Sequence, residues 1–158
     1  MAKQFLPTAF SICHAGTVRK AARRLSNLYD TALSDSGLKL SQYTILAEIA
    51  RHTANPLTMQ ELADILVMDR STLGHNLRPL EREGLTALKA DVKDRRRRYV
   101  LLTPAGRRQF RRAELGWAKA QAYFEEVFGT NRAHELRKVL LGIADNKLLS
   151  PKQSASLR

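Results

Sequence analysis

Apolar residues recur along this chain at two different periods, and the switch between them falls after Gly84. Over residues 11–33, Ala15, Val18, Ala22, Leu25, Tyr29 and Ala32 follow at alternating steps of three and four, the spacing of one stripe along a helix. Arg19, Lys20, Arg23 and Arg24 lie mostly off that stripe. A break at 34–40 contains Gly37, after which Ser41 is placed to cap a helix carrying Tyr43, Ile45, Leu46 and Ile49. The next break, 52–57, contains Asn55-Pro56. Thr58-Met59-Gln60-Glu61 then reads as a capping box: the Thr hydroxyl accepts from the Glu61 N–H while the Glu carboxylate reaches back to the N–H of Thr58. Leu62, Ile65 and Leu66 form the inner side of that short helix. Asp69 is placed to cap another, whose Leu73, Leu77 and Leu80 follow i, i+4, i+7 and whose end is marked by Gly84. Two short capped helices in tandem predict a helix-turn-helix.

Beyond Gly84 the residues favour extended backbone over 85–90 and 99–103, with a charged tip at 91–98 between them, which predicts a hairpin. Pro104 and Gly106 end the second strand. A long helix from 105 to about 128 carries Phe110, Ala113, Leu115, Trp117, Ala120 and Phe124, and a last helix over about 131–146 carries Leu136, Val139, Leu140 and Ile143. The expected fold is mainly α with a small β-hairpin wing, a winged helix-turn-helix domain plus a helical dimerisation region. Its expected divisions are a first dimerisation helix within 1–40, the winged unit at 41–106, terminal dimerisation helices at 107–147 and a flexible tail at 148–158. The winged unit closes its own small core, so the apolar stripes of the flanking helices call for a partner, and a second copy is the economical choice.

Composition narrows the chemistry. The chain has 158 residues, 44% of them hydrophobic, which suffices for one domain with a proper core. A net charge of +12 favours a polyanionic partner through counterion release, without choosing between DNA, RNA and an anionic surface. A single cysteine, Cys13, excludes an internal disulfide and a cysteine-built zinc site and fits a reducing compartment. The amino terminus lacks the apolar core of a secretory signal, and no segment approaches the roughly 18 uninterrupted apolar residues of a membrane span. The expectation is a cytoplasmic protein with no membrane partner. His14, His52, His75 and His134 are scattered without metal-ligand spacing, and no Gly-rich phosphate loop, nucleophile elbow or carboxylate pair is present. No catalytic residue, metal or cofactor is expected, and the chain does not read as an enzyme.

On the helix after Asp69, Ser71, His75, Arg78 and Arg82 project opposite the leucines, with Thr72 and Asn76 on the flanks. Ser71, Thr72, His75 and Asn76 are the candidates for reading base edges, and Arg78 and Arg82 for phosphate contacts. The competing reading is a solvated polar face. In the hairpin, Arg95, Arg96, Arg97 and Arg98 concentrate charge that an anion would relieve, although an alternating strand cannot point all four one way. Arg95 and Arg97 are expected to reach duplex DNA, one of them in a narrow minor groove, with Arg96 beside them and Asp94 pairing with a neighbouring arginine to stiffen the tip. An ordinary solvated hairpin is the alternative.

The order of these elements, with the stretches LTMQELADILVMDRSTLGHNLRPLEREGLT and ADVKDRRRRYVLLTPAG, resembles the MarR family of bacterial transcription regulators over nearly the whole chain. The resemblance implies an obligate homodimer with interlaced first and last helices, and two winged units straddling a pseudo-palindromic operator. It also implies a repressor released by a small ligand or an oxidant. Two residues depart from the pattern: His75 stands where an arginine is common, and Pro79 removes a backbone donor and predicts a bend near the helix end. In some such proteins a cysteine near the start of the first helix senses organic hydroperoxides, which makes Cys13 a candidate with Tyr29 and Tyr43 as neighbours. The competing reading is a small buried hydrophobe in a dimer interface. Arg19, Lys20, Arg23 and Arg24 are candidates for holding an anionic aromatic effector, with Trp117, Tyr43 and His14 as walls of an inter-lobe pocket. Their alternatives are a solvated face and ordinary core. An RNA-binding or ribosome-associated winged module is the rival function.

Overall fold

The structure, a computed structural model, describes residues 13–149 apart from Lys93 and Arg95. The expectations for Arg95, for residues 1–12 and for the tail beyond 149 therefore lie outside the described residues. Six helices and one hairpin follow in chain order among the described residues: α1 His14–Ala32, α2 Leu40–Arg51, α3 Met59–Ile65, α4 Arg70–Arg82, β1 Thr86–Ala90, β2 Arg98–Leu102, α5 Pro104–Phe128 and α6 Thr130–Ala144. Short 3-10 turns occupy Ser34–Ser36 and Lys147–Leu149. The fold class read from the sequence is the one observed.

The capping signals explain most boundaries. Thr58 caps α3 with the expected box, its hydroxyl accepting from the Glu61 N–H at 3.3 Å while Glu61 Oε2 accepts from the Thr58 N–H at 2.7 Å. Ser41 does not cap α2. The cap position of the helix is Lys39, two residues earlier, because Asp30 Oδ1 on α1 accepts from the Leu40 N–H at 2.7 Å and Gln42 Oε1 accepts from the Lys39 N–H at 2.9 Å. The Asp30 contact comes from another helix and leaves no local motif, whereas Gln42, three residues after Lys39, is the local half of a capping box that Ser41 obscures. Pro104 and Gly106 likewise open α5 rather than merely end a strand. Thr103 Oγ1 accepts from the Gly106 N–H at 3.0 Å and donates to the Gly84 carbonyl at 2.6 Å. Any Cβ at Gly106 would collide with the Leu85 carbonyl oxygen, so the bare backbone lets α5 close on the base of the wing.

One core organises the molecule. Leu33, Leu38, Tyr43, Ile45, Leu46, Ile49, Leu62, Leu73, Leu77, Leu80, Leu85, Val100 and Ala113 are buried together, drawn from α2, α3, α4, β2, the first half of α5 and the connections before α2 and β1. The terminal helices contribute almost nothing to it. No residue of α1 is buried, and in α6 only Ala133 is. Large apolar side chains stand open instead: Val18 on α1, Leu115 and Val127 on α5, and Val139, Leu141 and Ile143 on α6. Covering each such side chain is worth about 1.5–3 kcal/mol, so the exposed stripe is a substantial unsatisfied term.

Candidate nucleic-acid interface

The turn between α3 and α4 sets the angle of the second helix. Val67 sits in the left-handed region at φ 52, and the Met68 N–H reaches back to the Ala63 carbonyl at 2.8 Å, the Val67 N–H to Asp64 at 3.2 Å. That is a Schellman closure carrying a β-branched residue where glycine is preferred. Asp69 then caps α4, and Leu73, Leu77 and Leu80 face the core while Ser71, Thr72, His75, Arg78 and Arg82 are exposed and Asn76 is half-buried. The helix runs unbroken through Pro79 to Arg82.

The polar face of α4 is already partly ordered. Asp69 Oδ1 accepts from the Ser71 hydroxyl at 2.6 Å and the Thr72 N–H at 2.8 Å, and its Oδ2 accepts from the Thr72 hydroxyl at 2.6 Å. These donors, the Ser71 hydroxyl first, hold the Asp69 carboxyl well below the usual carboxylate range. Asn76 donates its amide to the Thr72 carbonyl at 2.9 Å. Sequence reasoning treated Ser71, Thr72 and Asn76 as free polar groups and missed this clamp. The signal was present locally, since an acceptor at a cap followed at two and three residues by hydroxyls is an N-terminal pattern.

The wing is held to the helix-turn-helix at its root. β1 and β2 pair antiparallel with Leu88 opposite Val100, and the Val100 N–H donates to the Leu57 carbonyl at 2.9 Å beside a bridge between Thr58 and Tyr99. At the tip, the Tyr99 hydroxyl donates to Asp91 Oδ2 at 2.8 Å, which raises its pKa, and Asp94 Oδ1 accepts from the backbone N–H of Arg96 at 3.0 Å. Asp94 was expected to pair with an arginine side chain. The contact it makes with Arg96 is to the main chain, and a pairing with Arg95 lies outside the described residues. Arg96, Arg97 and Arg98 are exposed. Arg97 leans toward α3, its Nη2 4.0 Å from Glu61 Oε1. The same Glu61 carboxyl is lowered in pKa, first by the Thr58 N–H and hydroxyl and also by Arg97.

The effector and redox candidates do not gather at one place in the protomer. Tyr43 is buried and stacked between Phe110 at 5.3 Å and Trp117 at 6.1 Å, and burial pushes its pKa up to about 12. Tyr29 belongs to a different space: its hydroxyl donates to Gln121 Oε1 at 2.6 Å, and it lines a cavity of 340 Å³ with Leu25, Phe124, Leu136, Arg137 and Leu140. Gln121 passes the chain of contacts on to Glu125 at 2.8 Å, which faces Arg137 at 3.7 Å. Cys13, His14 and Arg19 are exposed at the far end of α1. Cys13 caps that helix, its Sγ accepting from the Gly16 N–H at 3.4 Å. Tyr29 lies on the same helix about 24 Å further along at 1.5 Å per residue, so it is no neighbour of the thiol within one protomer. Nor do Tyr43 and Trp117 meet it, since Gly116 packs on the carbonyl of Ala32 at the opposite end of α1. Among the described residues no His, Cys, Asp and Glu cluster suited to a metal is present, and no helix is long and apolar enough to cross a membrane.

A model of the MarR family matches residues 36–97, from the turn before α2 to the wing tip. The transcriptional activatory protein BadR of Rhodopseudomonas palustris is 32% identical over 129 residues, covering 77% of this chain and 73% of BadR. The chain belongs to the MarR family. Solved structures agree with that assignment along nearly the whole length. The M. tuberculosis transcriptional regulator MosR in complex with DNA is 33% identical, with a TM-score of 0.75 over 84% of this chain and 93% of that one. The transcriptional repressor CouR bound to a 23-mer DNA duplex is 25% identical, with a TM-score of 0.76 over 88% of this chain and 98% of that one. This MarR-family chain is thus a DNA-binding transcription regulator of a family that is not one of enzymes.

Proposed function

We propose that the protein acts as a homodimer on a pseudo-palindromic operator, each protomer laying α4 in a major groove and setting its wing alongside. The observation that carries this reading is the division of α4 into a buried leucine edge and an exposed face of Ser71, Thr72, His75, Arg78 and Arg82. The Asn76 amide on the flank and the wing arginines Arg95, Arg96 and Arg97 complete the proposed contacts. Dimerisation is supported by the open apolar side chains of α1, α5 and α6, which a second copy would cover. The half-sites would then lie about 34 Å apart, one turn of duplex.

Repression by occupancy is the proposed mode, although BadR is named an activatory protein, and the sign of control follows from where the operator lies relative to the promoter. Release by a small ligand belongs to the proposal, as a CouR protein from Rhodococcus jostii is solved with p-coumaroyl-CoA. Here the cavity beside Tyr29, apolar with Arg137 at its edge, has the chemistry for an aromatic carboxylate. Cys13 is the oxidant-sensing candidate, and its exposure gives a peroxide access. Retention of a selected palindromic duplex against excess single-stranded RNA tests the DNA reading, and the converse supports an RNA-binding module. If Cys13→Ser leaves release by peroxide unchanged, the oxidant branch is removed.

A further inference from the structure

We infer that Asp69 sets the hydroxyls of Ser71 and Thr72 as acceptors only, so that this end of α4 reads the exocyclic amino group of adenine or cytosine. The inference rests on the proposed placement of α4 in the major groove. An ionised carboxylate has no proton to give, so in each of its two hydroxyl contacts, both at 2.6 Å, the proton must lie on the Ser71 or Thr72 side. Charge-assisted bonds of this length are roughly twice as strong as neutral ones. Turning either hydroxyl to donate outward would forfeit one of them. What both exposed oxygens can offer a base is therefore a lone pair.

The major groove holds one amino donor per base pair, N6 of adenine or N4 of cytosine, whereas guanine and thymine present acceptors. Two fixed acceptors therefore discriminate which strand carries the amino group. They favour adenine or cytosine on the contacted strand and oppose guanine or thymine, whose O6, N7 or O4 would face lone pairs. The Asp69 carboxylate adds to this, since it is exposed beside the same oxygens and repels those acceptors too. Its depressed pKa keeps it ionised throughout the neutral range, so the polarity does not change with pH there.

Selection from a random duplex pool tests the idea with three proteins. The wild type should enrich one position per half-site for adenine or cytosine over guanine or thymine by about tenfold, the scale of a mismatched contact. Ser71→Ala with Thr72→Val should flatten that position, which identifies it. Asp69→Asn keeps a helix cap of equal rank but replaces an accepting oxygen by a donor, freeing a hydroxyl proton. It should lower the preference to about threefold or less at that position alone, with other positions unchanged. Asp69→Ser removes the carboxylate in the same way and provides a second reading should the asparagine variant melt early. An Asp69→Asn profile identical to wild type would overturn the inference, as would a guanine or thymine at the position that Ser71 and Thr72 read. Failure of the wild type to enrich any duplex would overturn the placement of α4 itself, an outcome distinct from either.

Discussion

The winged half of the molecule and its terminal helices treat their apolar residues in opposite ways. Around α4 the leucines are sealed by α2, α3 and β1, with Leu73, Leu77 and Leu80 almost wholly withdrawn from solvent. Along α6 the corresponding stripe stays open, with Val139 60% and Leu141 54% exposed. Both helices are amphipathic, and what separates them is whether the rest of one chain supplies a cover. Under the proposed function, the winged half specifies how DNA is touched, while the terminal helices would specify, through a second copy, how far apart two such touches fall.

Several changes would break or sharpen this contrast. Leu77→Ala should have the largest effect, costing about 2–5 kcal/mol and lowering the unfolding midpoint in denaturant, because its cavity opens inside a closed core. Val139→Glu combined with Ile143→Glu should leave the winged core folded yet halve the mass in sedimentation and weaken operator binding by about a hundredfold or more, as two linked sites become one. An unchanged mass would exclude this face as the dimer contact. Arg97→Ala should weaken binding on all sequences alike and lower the salt slope by about one, read in a titration over salt.

Acid should act on the helix caps. Glu61 and Asp69 both have folded pKa values below their ordinary ones, so their contribution is fully present above about pH 4.5 and fades as the pH falls below it. Glu61→Gln should accordingly lower stability modestly at pH 7, converge on the wild type in acid and so flatten the acid limb of a stability profile, and an unaltered limb would deny Glu61 that role. The smallest effect is expected for Val67→Gly, which relieves a left-handed valine and should raise the melting temperature by a few degrees, about 1 kcal/mol or less.

Signals that act within one turn of chain were the legible ones. The Thr58 box, the Asp69 cap, the leucine spacing of α4 and the hairpin all depend on residues a few positions apart, and all were readable before any coordinates. The separation of Cys13 from Tyr29 is legible too, since sixteen residues of helix at 1.5 Å each hold them about 24 Å apart. Asp30 on Leu40, Glu61 opposite Arg97 and Tyr29 on Gln121 were not, because each joins residues whose nearness comes from packing.

The sequence by itself determined the elements, the polarity of α4 and the excess of positive charge, since these follow from local hydrogen bonding, periodicity and composition. Tertiary structure decided which apolar stripes find cover, where the wing leans and which aromatic residues share a wall. Those outcomes turn on the angle at which helices meet, a property of side-chain shape summed across contacts tens of residues apart, and no local pattern records it.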